Sequence, residues 1–194
     1  MAKSNKVEMI TPLGQLKWIN LVKPDDHYDA DNPKYQASLV LDVTEGRAFI
    51  QKIEGVFPQF KGKVPSKRDD QDNFIFKFTQ KKFIRWKKDG EDKEFVFVPK
   101  LLLKTDDGQI EYEGSEPWSG STGEVAIVLE ETKGSRGTSL AMRLKGVRFH
   151  DVVIGTGDGA ASSRDPLFGP SGSVSDTASG LDEDHPFGDD EAFN

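Results

Sequence analysis

KYQASLVLDVTEGRAFIQKIEGVFP, residues 34–58, changes its hydrophobic period partway along. Tyr35, Ala37, Leu39, Leu41 and Val43 alternate with other residues, so an extended chain puts them on one face, the pattern of a half-buried strand. From Phe49 the spacing lengthens. Phe49, Ile50, Ile53, Val56 and Phe57 share one side of a helix, which Pro58 ends. Asp42 or Thr44 supplies the N-cap.

Outward from this stretch the chain reads as strand. GQLKWINLV (14–22) precedes it across a polar loop, PDDHYDADNP (24–33). A charged loop, KGKVPSKRDDQDN (61–73), follows it and leads to FIFKFTQKKFIRWKK (74–88). DGED (89–92) turns that run into KEFVFVPKLLLK (93–104), and an Asp-Gly pair between β runs is a strong hairpin signal. Pro99 interrupts the returning run and predicts an edge position or a bulge. DDG (106–108) leads into QIEYE; GEVAIVLEE (123–131), KGSRG (133–137) and TSLAMRLKGVRFHDVVI (138–154) complete the body. The fold class is mainly β, about seven or eight strands and one helix, closing as a small β-barrel with a sandwich as the alternative.

Charge divides the chain more sharply than fold does. Residues 1–154 hold 25 bases and 24 acids, a net of +1; from Gly155 there are nine acids and one base, a net of −8, which together give −7. Residues 155–181, rich in Gly, Ser and Ala, predict a flexible linker. Residues 182–194 predict a disordered acidic tail that still carries Phe187 and Phe193. The organisation is thus a domain over 1–154, a linker and an interaction tail. No run of about 18 apolar residues spans a membrane, the opening MAKSNKVEMI has no signal-peptide core, and the absence of cysteine fits a reducing cytoplasm.

Residues 74–104 concentrate nine bases and seven aromatic rings against four acids. Cations that follow a phosphate backbone, interleaved with rings that stack on bases, are the physical recipe for sequence-independent single-strand binding. Lys77, Lys81, Lys82, Phe83, Arg85, Trp86 and Lys87 are the candidates, with Tyr112 as a further stacking ring. If Phe74, Phe76 and Phe78 face the core, the opposite face carries Lys77, Lys81, Phe83, Arg85 and Lys87, and Trp86 joins Ile84 on the core side. A bulge within TQKK would exchange the two faces beyond it. The plain alternative is an amphipathic hairpin whose lysines only guard an edge against aggregation.

Trp18, Tyr35 and Phe149 lie within β runs and are expected in the core. Tyr28, Tyr112 and Trp118 lie in or beside turns, where a ring can be either packed or presented. Arg136, Arg143, Lys145 and Arg148 extend a basic groove or are solvated strand residues. DDHYDAD (25–31) matches neither a calcium loop nor a zinc motif, so a solvated loop is the expectation. The glycines of VVIGTGDGA (152–160) miss dinucleotide-loop spacing and no apolar helix follows. Nothing looks catalytic, and no cofactor or metal is expected. A protein-interaction adaptor or DNA mimic is the alternative function; a Mg²⁺ nuclease using the 25–31 acids is a third.

TPLGQLKWINLVKPDD…PKYQASLVLD (11–42) and GSTGEVAIVLEETKGSRGTSLAMRLKGVRFHDVV (120–153), together with an acidic tail ending near Phe, resemble the single-stranded DNA-binding replication proteins of tailed bacteriophages. The resemblance implies an oligonucleotide/oligosaccharide-binding (OB) barrel that coats single strands in replication or recombination, in the cytoplasm of an infected bacterial host. It further implies a tail that recruits polymerase- and helicase-type partners and can exchange between the subunits of a homodimer. On this resemblance Phe193 matches the terminal aromatic, and Asp189, Asp190 and Glu191 match the acidic run before it. Asn194 follows the ring here, which makes Phe187 the alternative anchor.

Overall fold

The computed structural model describes residues 6–27, 29–88, 90–134 and 137–155. The linker and tail expectations, including Phe187, Asp189, Asp190, Glu191 and Phe193, fall outside the described residues. In chain order the elements are β1 (Lys6–Ile10), β2 (Gly14–Asp25), β3 (Lys34–Leu41), α1 (Val43–Val56), a 3-10 turn (Pro58–Phe60), β4 (Lys67–Arg68), β5 (Phe74–Lys81), β6 (Phe83–Lys88), β7 (Glu91–Val96), β8 (Lys100–Thr105), β9 (Gly108–Glu111), β10 (Thr122–Gly134) and β11 (Gly137–Asp151).

Five strands pair in a ring. β10 pairs with β2, β2 with β3, β3 with β5, β5 with β11 in parallel, and β11 returns to β10. A ring that returns to its first strand is not a sandwich of two open sheets, and its order is OB-like. The parallel seam is narrow, a single register pair of Arg143 and Thr79. The long hairpin β10–β11 runs past the ring, where β1 joins β10 and the β8–β9 hairpin joins β11. Ala126 faces Gly146 while Ile127 faces Leu144, which leaves Lys145 as the extra residue of a bulge. Gly146 is needed there, because a side chain would run into the carbonyl of Lys100 on β8.

The inward rows fill the ring. Leu39 and Leu41 of β3, Phe76 and Phe78 of β5, Val125, Ile127 and Leu129 of β10, and Leu144 and Phe149 of β11 are all buried. Each contributes about 1.5–3 kcal/mol of burial. α1 begins at the first of its two candidate caps: Asp42 is the N-cap, its Oδ1 accepting the Glu45 N–H at 2.8 Å. Val43 therefore starts the helix instead of continuing the strand face. Phe49 and Ile53 pack inward, with the Phe49 ring edge-on to Phe76 at 5.1 Å. Pro99 makes neither an edge nor a bulge. It is buried in the break between β7 and β8, which belong to different sheets, where its missing N–H costs no ladder bond.

Candidate nucleic-acid interface

Because Phe74, Phe76 and Phe78 point inward, β5 turns Ile75, Lys77, Thr79 and Lys81 outward as predicted. Register with β3 sets Ser38 opposite Lys77, Gln36 opposite Thr79 and Lys34 opposite Lys81. Gln36 Nε2 donates to Asn20 Oδ1 of β2 at 2.9 Å. Like charges directly opposite one another weaken a ladder, so the Lys34–Lys81 pair is held against the preference of the sheet. Among the described residues no carboxylate lies within ion-pair distance of Lys34, Lys77 or Lys81. The β5 row alone is about 20 Å long at strand rise.

Two grooves terminate this row. One, of 760 Å³, is lined by Trp18, Ser38, Lys67, Arg68, Ile75 and Lys77. Arg68 lies over the Phe74 ring at 3.5 Å and pairs with Asp72 at 3.0 Å. Beside it Asp69 accepts from Gln71 N–H and Asn73 N–H; burial would raise its carboxyl, but these bonds and Asn73 Nδ2 hold it below the usual range. The other groove, of 730 Å³, includes Lys81, Phe83, Arg85, Phe97, Arg143 and Lys145 in its lining.

The predicted basic-aromatic hairpin exists, as β6–β7, but it is a two-stranded sheet of its own. β5 stops at Lys81, and at Lys82 the chain leaves the main sheet: Lys82 N–H donates to Pro33 O and Phe97 N–H to Lys82 O. The side-chain parity of β5 therefore does not continue into β6. Trp86, predicted on the core side, is 46% exposed because a lone hairpin has no core behind either face. One face presents Ile84, Trp86 and Phe95; the other presents Phe83, Arg85 and Lys87. Lys82 and Arg85 hold their charges 5.2 and 5.4 Å from the Phe83 ring centre. Acids on β7 offset part of the positive charge: Glu94 takes Arg85 at 2.6 Å and Asp92 takes Lys87 at 3.7 Å.

Tyr35 and Phe149 are core, as predicted, but Trp18 is not: it is 58% exposed. Tyr112 is packed, its ring 5.3 Å from Phe149 and its hydroxyl donating to Ser115 O at 2.7 Å. Burial, then the charge of Glu116, raises its phenol. Trp118 is exposed, and Tyr28 and Arg136 fall outside the described residues. The second tier of bases is engaged: Arg143 and Lys6 share Glu130, Arg148 and His150 share Glu124, and Lys145 takes Glu8. Burial alone would raise Glu124 and Glu130, but hydrogen bonds from these partners, and their charge, hold both below the usual range. In the 25–31 loop the acids serve turns, Asp25 accepting from His27 N–H and Asp29 from Asn32. Trp18, Lys34 and Lys67 were not among the sequence candidates; Lys67 sat within a charged loop, and strand register alone brings Lys34 to Lys81.

No family model and no curated protein matches the chain. Solved structures do. The crystal structure of gp2.5, a single-stranded DNA-binding protein encoded by bacteriophage T7, superposes with a TM-score of 0.58 at 16% identity, covering 90% of this chain and 100% of that one. The single-stranded DNA-binding protein from bacteriophage Enc34 superposes in a C-terminally truncated form (TM-score 0.54, 13% identity, 76% of this chain and 87% of that one). The same protein in complex with ssDNA gives a TM-score of 0.53 at 13% identity, covering 77% of this chain and 89% of that one. The fold is that of these phage proteins.

Proposed function

We propose that the chain is a non-enzymatic, sequence-independent single-stranded DNA-binding protein that coats and protects single strands in phage DNA replication or recombination. One observation carries this: the outward row of β3–β5, with Lys34, Lys77 and Lys81 free of carboxylate partners among the described residues, runs between two grooves bearing aromatic rings. Phosphates meet Lys77, Lys81 and Lys82. Phe83 and Trp86 offer π-faces to bases, with Arg85 and Lys87 beside them. Tyr112 has its ring packed on Phe149 and its hydroxyl bonded to Ser115 O, so any base it stacks on meets the ring's free side. The likeness to the T7 and Enc34 proteins supports the same reading.

The acidic tail, 182–194, competes for the same cations as a tethered polyanion. Through Phe187 and Phe193, beside Asp189, Asp190 and Glu191, it recruits replication partners such as a polymerase or helicase. Fluorescence anisotropy with labelled oligo-dT and matched duplex, across a salt series, tests the binding. Preference for the single strand, weakened by salt and by Lys77→Glu with Lys81→Glu, is the expected outcome. No binding at low salt refutes it and favours a protein-interaction adaptor; binding with an unchanged affinity in the double variant refutes the β5 row as the path of the strand.

A further inference from the structure

Trp18 breaks three rules of strand construction at once. Leu16 and Leu21 of β2 are both buried although an odd number of positions apart, so the alternation slips between them. The register with β3 shifts between Lys17 and Asn20, and Trp18 within that shift has φ 47°, a left-handed conformation that large side chains avoid. The slip turns the ring out of the core, where it is 58% exposed and lines the groove shared with Lys67, Ile75 and Lys77. Strain without burial weakens a fold, so the arrangement has to be held from outside.

The loop before β10 holds it. Trp18 N–H donates to Ser119 Oγ at 3.2 Å, Gly120 N–H to Leu16 O at 3.0 Å, and Leu16 N–H to Ser121 O at 2.8 Å. On the far side of the slip the Glu116 carboxylate accepts three successive N–H groups, from Leu21 at 2.5 Å, Val22 at 2.9 Å and Lys23 at 2.7 Å. The strained segment is thus clamped at both ends by residues 116–121. The groove's lining sets Lys67, Arg68 and Lys77 beside Asp69 and Asp70. Asp69 is bonded to Gln71 and Asn73 and Arg68 pairs with Asp72, while the two lysines have no ion pair among the described residues. Ring and lysines together suit a ligand that is flat and anionic in one unit.

We propose, given single-strand binding at the β3–β5 face, that Trp18 is a base-stacking platform there, with Lys67 and Lys77 meeting the flanking phosphates. A nucleotide of a single strand has an open base face to stack; a duplex does not offer one.

The test uses the full chain and its Trp18→Gly, Trp18→Ala and Trp18→Phe variants, measuring thermal midpoint and anisotropy with oligo-dT and with an abasic strand of equal length. Glycine adopts the left-handed conformation without strain, so Trp18→Gly is expected to keep or raise the midpoint while weakening oligo-dT binding about tenfold or more. Trp18→Phe keeps most of the affinity, and on the abasic strand Trp18→Gly and wild type bind alike. Wild-type binding with an unchanged Trp18→Gly affinity overturns the platform alone. So does a midpoint several degrees lower in both Trp18→Gly and Trp18→Ala, or equal weakening on both strands. Absence of binding by the wild type overturns the function beneath it as well.

Discussion

At Gly46 a Cβ would lie 2.7 Å from Phe74 Cγ, so the helix packs on the sheet only where it has no side chain. Gly46→Ala is expected to lower stability by about 1–2 kcal/mol in urea unfolding, the overpacking outweighing alanine's helix preference. Glu124 is an acid-sensitive residue of another kind. Its carboxyl, bonded by Arg148 and His150, titrates below the usual range when folded, so the unfolded chain binds its proton first as pH falls. The stability it adds is present above its unfolded pKa of roughly 4.3 and is lost as pH falls through the lower folded value. Glu124→Gln should therefore flatten the loss of stability between about pH 5 and 3, read by denaturant midpoints at successive pH values. An unchanged slope would show that the pair adds nothing.

At the scale of elements, β6–β7 is a finger whose positive charge is held in check by its own returning strand. Glu94 and Asp92 lie across from Arg85 and Lys87, and both pairs are exposed, so their worth to stability is small, about 0–1 kcal/mol each. Their effect on a polyanion should be larger. Glu94→Gln with Asp92→Asn frees both bases and is expected to tighten oligo-dT binding at low salt and to steepen the salt slope by up to about 0.7 per base released. Unchanged binding and an unchanged salt slope in this variant would place the DNA path away from the hairpin. The hairpin itself was legible from Asp-Gly between two β runs. Its faces were not, because alternation carries side-chain direction only while the strand stays in one sheet, and the chain leaves the sheet at Lys82.

For the whole molecule, charge is partitioned along the chain: a body of net +1 and a terminal stretch of −8. A tethered polyanion raises the local concentration of competitor for any cationic surface, most strongly at low ionic strength. Deleting 182–194 is expected to tighten oligo-dT binding at low salt, with the difference closing as salt rises. Unchanged or weaker binding would remove the competitive role.

Local periodicity and composition carry side-chain direction within one element and the distribution of charge along the chain. A helix carrying Phe49 and Ile53 inward and ending before Pro58, with Asp42 as one of its two candidate caps, the inward Phe74–Phe76–Phe78 row, the outward Lys77 and Lys81, and the division of charge were all readable in one dimension; that the helix already starts at Val43 was not. Tertiary structure alone decided what depends on register between distant strands: the ring closing through Arg143 and Thr79, Lys34 brought opposite Lys81, and the slip at Trp18. Trp18 shows the reason most plainly. It sits in phase with Leu16, so alternation assigns it to the core. The residues that impose the slip, Glu116 and Ser119, lie about a hundred positions away and act through hydrogen bonds that no local pattern encodes.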